Sequence, residues 1–258
     1  MTTKALTPRK QMENLLSTRD KVISTHLRGT QLDSEKFRLG VLSQLDQTPA
    51  LLTCRRESVL MSAYLAAQQG LEFVGGQAYL IPFKGEAKLI VGYKGYVELL
   101  YGTGKVKSIN AKCVYQGEEF GYDQGTNEIS HPFSFDTDRS DENIVGAYAV
   151  IETVSGGRIV EVLSRDELER IRNSSRGKNS DAYRQWLPEM YKKACILRAA
   201  KKGPKSRALN VVIEAEDRAE KGLSTADLVE ERDEDWTEPE FRDVGPTEEP
   251  TVNDDDIP

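Results

Sequence analysis

The sequence predicts an α+β fold, a small antiparallel β-sheet packed with helices, followed by a disordered acidic C-terminal tail. Three observations predict it. Strand-like runs face each other across glycine turns: Gln77 to Phe83 with Ala87 to Gly92 across Lys84-Gly85, and Ile144 to Val154 with Arg158 to Leu163 across Ser155-Gly156-Gly157. Helical runs with one apolar face lie before and after these hairpins. Beyond about Gly222 the apolar period is lost and Glu, Asp, Pro and Thr dominate to Pro258, too few apolar groups to offset the entropy of ordering.

Taken in order, residues 1–33 are polar and weakly helical, with Leu15, Leu16, Val22 and Leu27 as scattered anchors. They read as a mobile N-terminal arm or a subunit contact. Ser34 is placed to cap a helix running to about Gln47, with Phe37, Val41, Leu42 and Leu45 on one face and Pro49 as its stop. A second helix, capped at Thr53, carries Val59, Leu60, Ala63, Tyr64 and Ala67. It ends at Gly70, a residue suited to a left-handed C-cap. Gly70 to Tyr101 is the densest apolar stretch: the first hairpin, the turn Gly92-Tyr93-Lys94-Gly95-Tyr96, and a short helix from about Lys94 to Tyr101.

Lys105 to Tyr115 reads as a strand, with Lys105 and Lys107 on one face and Lys112 opposite unless a bulge shifts the phase. Short strands are expected around Phe120 and Tyr122 and from Ile129 to Phe135. In the strand from Ile144, the residues Val145, Ala147, Ala149 and Ile151 alternate as in a sheet with one buried face. Ser164 to Glu167 is a capping box that opens a helix through Ile171. A polar loop, Asn173 to Asp181, carries Arg176 and Lys178. Tyr183 to Lys202 is a helix that Pro188 opens or kinks, with Trp186, Met190, Ala194 and Leu197 on its apolar face. Lys205 to Lys221 is helical, with Leu209, Val212 and Ile213. The chain thus divides into an arm (1–33), a core (34–222) and a tail (223–258).

Composition narrows the class. The 258 residues are 38% hydrophobic and 30% charged, enough for one substantial domain with appendages. No stretch approaches the ~18 apolar residues of a membrane span, and MTTKALTPRKQMENLL lacks the apolar region of a signal peptide. Cys54, Cys113 and Cys195 are far apart and odd in number, which fits a reducing cytoplasm without a disulfide framework. With only His26 and His131, and no CxxC spacing, a zinc site is not expected. The net charge of −7 conceals an asymmetry. From Glu214 onward there are 18 acidic and 4 basic residues, whereas the first 213 hold 24 acidic and 31 basic. A basic body concentrates polyanions, and an acidic tail competes with them or recruits a partner.

Four stretches carry candidate chemistry. In the glycine-flanked turn, Tyr93 and Tyr96 offer phenol faces for unstacked bases and Lys94 a cation for phosphate, while the same pentad also suits a tight turn with half-buried tyrosines. Gly102-Thr103-Gly104-Lys105 fails as a phosphate loop, with Leu99 and Val106 at the required Gly and Ser/Thr positions, and as a dinucleotide fingerprint, with Lys107 in place of the third glycine. No ATP dependence is expected. Lys105, Lys107 and Lys112 fit either a phosphate-tracking groove or a solvated edge strand. Asp136, Asp138, Asp141 and Glu142 fit a solvated loop, with a nuclease-type metal site as the alternative. The basic surplus is greatest between Ser164 and Arg207, with 13 basic and 5 acidic residues. It includes Arg172, Arg176, Lys178, Lys192, Lys193, Arg198, Lys201 and Lys202. An ordinary solvated helix face mixes signs more evenly, so this surplus points to polyanion binding.

AYLIPF, LIVGYKG and EMYKKACILRAAKKGP resemble, in order and spacing, the core of the RecT family of phage-type single-strand annealing proteins, from about Leu42 to about Arg207. The resemblance implies ATP-independent binding of single-stranded DNA and its annealing to a complementary strand in recombination, with no catalytic site and no cofactor. It also implies a homo-oligomer, either a ring or a helical filament, and partnership with a phage exonuclease and the host single-stranded DNA-binding protein. Onto this chain it carries Tyr93, Lys94 and Tyr96, then Lys192, Lys193, Arg198 and Lys201. The chain departs from relatives at Leu197, where some carry arginine, and at Ala199, Ala200 and Gly203, where they carry larger apolar residues. The C-terminal Asn253 to Pro258 resembles the acidic tip of bacterial single-stranded DNA-binding proteins but lacks the terminal phenylalanine. A passive single-strand coat or scaffold and a metal-dependent nuclease are the alternative functions.

Overall fold

The computed structural model describes residues 6–174, 178 and 181–229. The tail from 230 onward lies outside them, as does Arg176.

The segment expected to be a mobile arm is packed. Helix α1 (Pro8–Thr18) starts with Pro8 at its first position and the Thr7 hydroxyl accepting from the Lys10 N–H. Helix α2 (Asp20–His26) follows after Arg19. Met12, Leu16, Ile23 and Leu27 are buried, and His26 stacks on Tyr64 with ring centroids 4.4 Å apart. Met12, Leu16, Ile23 and Leu27 recur at spacings of four, seven and four, so the buried face continues across the break at Arg19.

Helix α3 (Ser34–Gln47) is capped by Asp33 rather than Ser34: the Asp33 carboxylate accepts from the Lys36 N–H at 2.7 Å. Arg9 of α1 grips Asp46 of α3 through two hydrogen bonds of 2.6 and 2.9 Å. A 3-10 turn (Pro49–Thr53) precedes α4 (Arg56–Gln68), whose N-cap is Arg55. Thr53 does not serve as the cap because its hydroxyl donates back to the Ala50 carbonyl. The left-handed Gly70 follows α4 as expected.

Strands β1 (Ala78–Phe83) and β2 (Glu86–Val91) form the first hairpin. Lys84 and Gly85 both have positive φ, the two-residue turn whose twist matches antiparallel strands. Leu80, Leu89 and Val91 point into the core, and β2 packs between α4 and the last helix. Helix α5 (Tyr93–Tyr101) starts directly after the hairpin.

Strand β3 (Val106–Tyr115) is followed by a small hairpin, β4 (Gly121–Asp123) and β5 (Glu128–Ser130), then by β6 (Ile144–Thr153) and β7 (Arg158–Ser164). Strands β3, β6 and β7 form an antiparallel sheet in the order β3-β6-β7. The expected strand through Phe135 stops at Ser130, because only three residues on each side pair in the β4–β5 hairpin. Two register shifts correct the sequence reading. One sets Lys107 out of register between Val106 and Ser108. The other, between Val114 and Tyr115, leaves Val145 unpaired, so Val145 is exposed while Ile144, Ala147, Ala149 and Ile151 are buried.

Helix α6 (Arg165–Ser174) opens on the expected capping box: Glu167 accepts from the Ser164 N–H at 3.0 Å, and the Ser164 hydroxyl accepts from the Glu167 N–H at 3.3 Å. The long helix expected next divides at Trp186 into α7 (Asp181–Gln185) and α8 (Leu187–Lys202), with Pro188 in the first turn of α8. Helix α9 (Arg207–Lys221) is capped by Ser206 and ended by the left-handed Gly222. Helix α8 lies between the inner face of the sheet and α5, and α5 in turn meets α9 and the first hairpin. Its deeply buried residues are Tyr191, Cys195, Ala199 and Ala200, whereas Trp186 is exposed, so the apolar face is rotated from the expected one. The small residues let α5 sit close. A Cβ at Gly203 would lie 2.8 Å from Leu100 Cδ2.

Residues 116–143 form a lobe on the outer side of the sheet. Its pin is Glu118, buried, which accepts from the Tyr115 N–H (2.9 Å) and Arg139 (2.7 Å) and lies 3.1 Å from His131 Nε2. Burial opposes ionisation of Glu118, but the hydrogen bonds from Tyr115, His131 and Arg139 outweigh it and hold the carboxyl below its usual range. A depressed carboxyl contributes stability above its unfolded pKa, about 4.3, and loses it as pH falls through the lower folded value. The stability difference between wild type and Glu118→Gln, from urea unfolding, is therefore expected to be full at pH 7 and to shrink below about pH 4; a difference that does not change with pH contradicts this pin. Gly95→Ala is expected to destabilise the chain by about 1–3 kcal/mol through overpacking, because its Cβ would lie 2.3 Å from the Gln77 carbonyl. Thermal unfolding should show it at about 2–4 °C per kcal/mol.

Candidate nucleic-acid interface

The glycine turn is built by contacts within the chain. The Gly92 N–H donates to the Gln77 carbonyl at 2.8 Å. A Cβ at Gly92 would stand 2.4 Å from the Gly76 carbonyl. The close backbone approach that the two glycines of the turn permit is therefore occupied by the chain's own Gly76-Gln77. Tyr96 is 1% exposed. Its hydroxyl donates to Glu216 of α9 at 2.5 Å, and the other Glu216 oxygen accepts from the Val91 N–H at 3.1 Å. Tyr96 thus ties α5 to α9 and presents no face to a base. Tyr93 is half-buried, and exposed Lys94 donates to the Gly75 carbonyl at 3.1 Å. Tyr79, which the sequence reading did not single out, supplies the exposed phenol here. Its ring lies over Gly76 and Gly92, and the in-out alternation of β1 was the available signal.

On the sheet, the bulge at Lys107 turns this lysine toward Glu152 on the outer face. That carboxyl is lowered first by the Ser108 hydroxyl donating to it at 3.0 Å, then by Arg158 and by the charge of Lys107. Lys112 stands opposite Tyr148 in the register and is exposed. Lys105 is exposed just before the strand. The outer face thus carries Lys107 and Lys112 together, which the simple period of two did not predict.

The cations of α8 lie in the layer on the other side of the sheet, and they divide by partner. Arg198 and Lys202 both grip Glu161, a buried carboxylate of β7, at 3.1 and 2.5 Å. Lys192 pairs with Glu189. Lys193 is half-buried, and burial pushes its ammonium pKa down. Lys201 is exposed, and among the described residues neither Lys193 nor Lys201 has an acidic partner. Arg172 donates to the Lys178 carbonyl at 3.1 Å, lies over the Tyr183 ring and pairs with Glu169 at 3.4 Å; Lys178 is exposed. The predicted residues are thus spread over both sides of the sheet, with Lys107 and Lys112 on its outer face and the α8 cations in the helix layer. In the acidic run, Asp138 accepts from the Ser140 N–H and so shapes its own loop. Among the described residues, no three His, Cys, Asp or Glu side chains gather as metal ligands would.

A cation-rich helix lies over one face of a small antiparallel sheet, with further lysines on the other face, an arrangement suited to a polyanion. The sequence model of the RecT family matches residues 35–232, and the chain belongs to the RecT family. It is 29% identical to "Protein RecT" of Escherichia coli (strain K12) over 208 residues, 76% of each chain. It is 30% identical to "Uncharacterized protein YqaK" of Bacillus subtilis (strain 168) over 137 residues, 52% of this chain and 47% of that protein. Membership makes it a phage-type DNA-binding protein of recombination and single-strand annealing. The family match begins at α3, so α1 and α2 are packed outside it. No helix among the described residues is long and apolar enough to cross a membrane.

The Glu161 contact separates a structural from a surface role on one helix. Arg198→Ala leaves a buried carboxylate with one cation and is expected to cost about 1–3 kcal/mol. Lys201→Ala should stay within roughly 0.5 kcal/mol. Urea midpoints of the two variants decide it, and equal midpoints contradict the assignment.

Proposed function

We propose that this chain binds single-stranded DNA without sequence preference and anneals it to a complementary strand without a nucleotide cofactor. It acts as one protomer of a ring or helical filament in the cytoplasm of a bacterial host. The observation that carries this reading is the RecT family match across a core whose Ser164 to Arg207 segment holds 13 basic and 5 acidic residues. Two DNA strands repel each other. A basic surface that neutralises one backbone and releases its counterions lowers that barrier. Held by its phosphates, the strand keeps its base edges free, so pairing itself reads the sequence. Lys193 and Lys201 on α8, Lys94 beside Tyr93 and Tyr79, Lys105 just before β3, and Lys107 and Lys112 on it are the proposed phosphate and base contacts. Arg198 and Lys202 contribute the charge left over after Glu161. A phage exonuclease supplies the single strand, and the host single-stranded DNA-binding protein is displaced from it. The acidic tail (223–258) recruits such a partner or competes for the basic surface.

The test is annealing of two labelled complementary oligonucleotides without nucleotide, read after protein removal. The expected result is acceleration well above the spontaneous rate, with a slope of log affinity against log salt of about −4 if ~6 phosphates are neutralised. Lys201→Glu and Lys112→Glu, made separately, tell which basic surface the strand follows; each contact removed should flatten the slope by about 0.7. Tight binding without acceleration would make the chain a passive coat. A flat salt response would remove the polyanion reading.

A further inference from the structure

We propose that the aromatic tip of the 116–143 lobe is a knob received by a second copy of this chain, in the apolar cleft between α3 and residues 71–74. The inference rests on the oligomeric part of the proposed function and names its contact.

Phe133 and Phe135 are 67% and 90% exposed. Their rings stand edge to face at 4.8 Å. The Arg139 guanidinium lies 4.2 Å from the Phe133 ring centroid and is itself fixed by buried Glu118 and by the Ser134 carbonyl. The tip is thus a preorganised apolar projection, and Phe135 fills no pocket of its own chain. A matching vacancy lies elsewhere. Leu32, Leu71 and Phe73 line a cleft of about 220 Å³ whose lips are Leu39 and Val74, 58% and 62% exposed, with Lys36 and Glu72 at its rim. An apolar cavity of roughly 150 Å³ already admits benzene, so the cleft has room for a phenyl ring.

Charge selects the occupant. Residues 116–143 hold 8 acidic residues and 1 arginine, whereas the remainder of the first 213 holds 30 basic and 16 acidic. Phe135 is followed by Asp136 and Asp138. A nucleobase stacked on this tip would bring its phosphates into that negative field. A protein surface brings no phosphates, and outside the lobe the first 213 residues of this chain carry a basic surplus. Knob and cleft occur once per chain on different surfaces, so the contact is head-to-tail and repeats from copy to copy.

The experiment uses Phe135→Ser and Leu39→Asp in the full chain, with mass by light scattering in the absence of DNA. Each variant alone is expected to fall from the wild-type assembly to a monomer. Mixed one to one they are expected to form a heterodimer and nothing larger, because one intact knob meets one intact cleft; that recovery also shows both variants are folded. A monomeric wild type, a variant that keeps the wild-type mass, or a mixture that stays monomeric overturns the contact. Unchanged mass with weaker oligonucleotide binding in Phe135→Ser would make the tip a base-stacking surface and also overturn it. Annealing by wild type, assayed in parallel, separates the two readings. An assembly that follows the knob-and-cleft pattern without accelerating annealing sinks the annealing function and leaves the contact standing.

Discussion

The burial of a cation-rich helix is the constraint on which this structure depends. Helix α8 has the sheet on one side and α5 on the other, yet it carries five lysines and arginines. Long cationic side chains leave a buried position only by reaching its edge, with their stems kept against apolar neighbours. Arg198 and Lys202 do so over β7, where Glu161, itself buried on the helix-facing side of the sheet, anchors both heads. The small residues Ala199 and Ala200 then let α8 seat closely. A buried carboxylate between two partly exposed cations keeps its charge satisfied without taking both cations out of water, so the desolvation cost that makes fully buried pairs weak is limited here.

Local signals were legible in the sequence because their physics is local. The Lys84-Gly85 and Ser155-Gly156-Gly157 turns, the Ser164 to Glu167 capping box and the left-handed Gly70 each depend on a few neighbouring residues, and each formed as the residues predict. The errors arose where two local solutions compete or where a distant partner decides. Asp33 and Ser34 are adjacent candidate caps, and the carboxylate took the Lys36 N–H. The bulges at Lys107 and Val145 insert single residues that a period of two does not register. The sequence left Tyr96 open between a base-stacking phenol and a half-buried turn residue because its partner, Glu216, is 120 residues away. A partner 37 residues away, Glu161, likewise hid the role of Arg198, which a net-charge count treats as free.

The family match and the basic segment agree on what the surface binds but not on which cations bind it. A cation already held by a protein carboxylate offers a phosphate less than a free one, since the carboxylate must be left behind or carried into the complex. Lys193 and Lys201, without such partners among the described residues, differ in this from Lys192 and Lys202. Lys193 adds a second effect. Its half-buried ammonium is under-solvated, as its lowered pKa reflects, and an approaching phosphate would relieve that deficit rather than compete with water.

The acidic lobe gives this electrostatic division a shape. If the 116–143 segment were spread over the body, its eight carboxylates would neutralise about a quarter of the 30 basic residues in the rest of the first 213 and weaken any hold on DNA. Gathered on one projection and fixed through Glu118, they leave the rest of the first 213 residues with a basic surplus. A head-to-tail contact would then place each lobe against its neighbour's cleft. Negative charge would collect at the joints between protomers, and positive charge would face outward along them. A strand lying along such an array would be attracted between joints and repelled at them. The spacing of protomers, more than any base contact, would then set how the backbone is held.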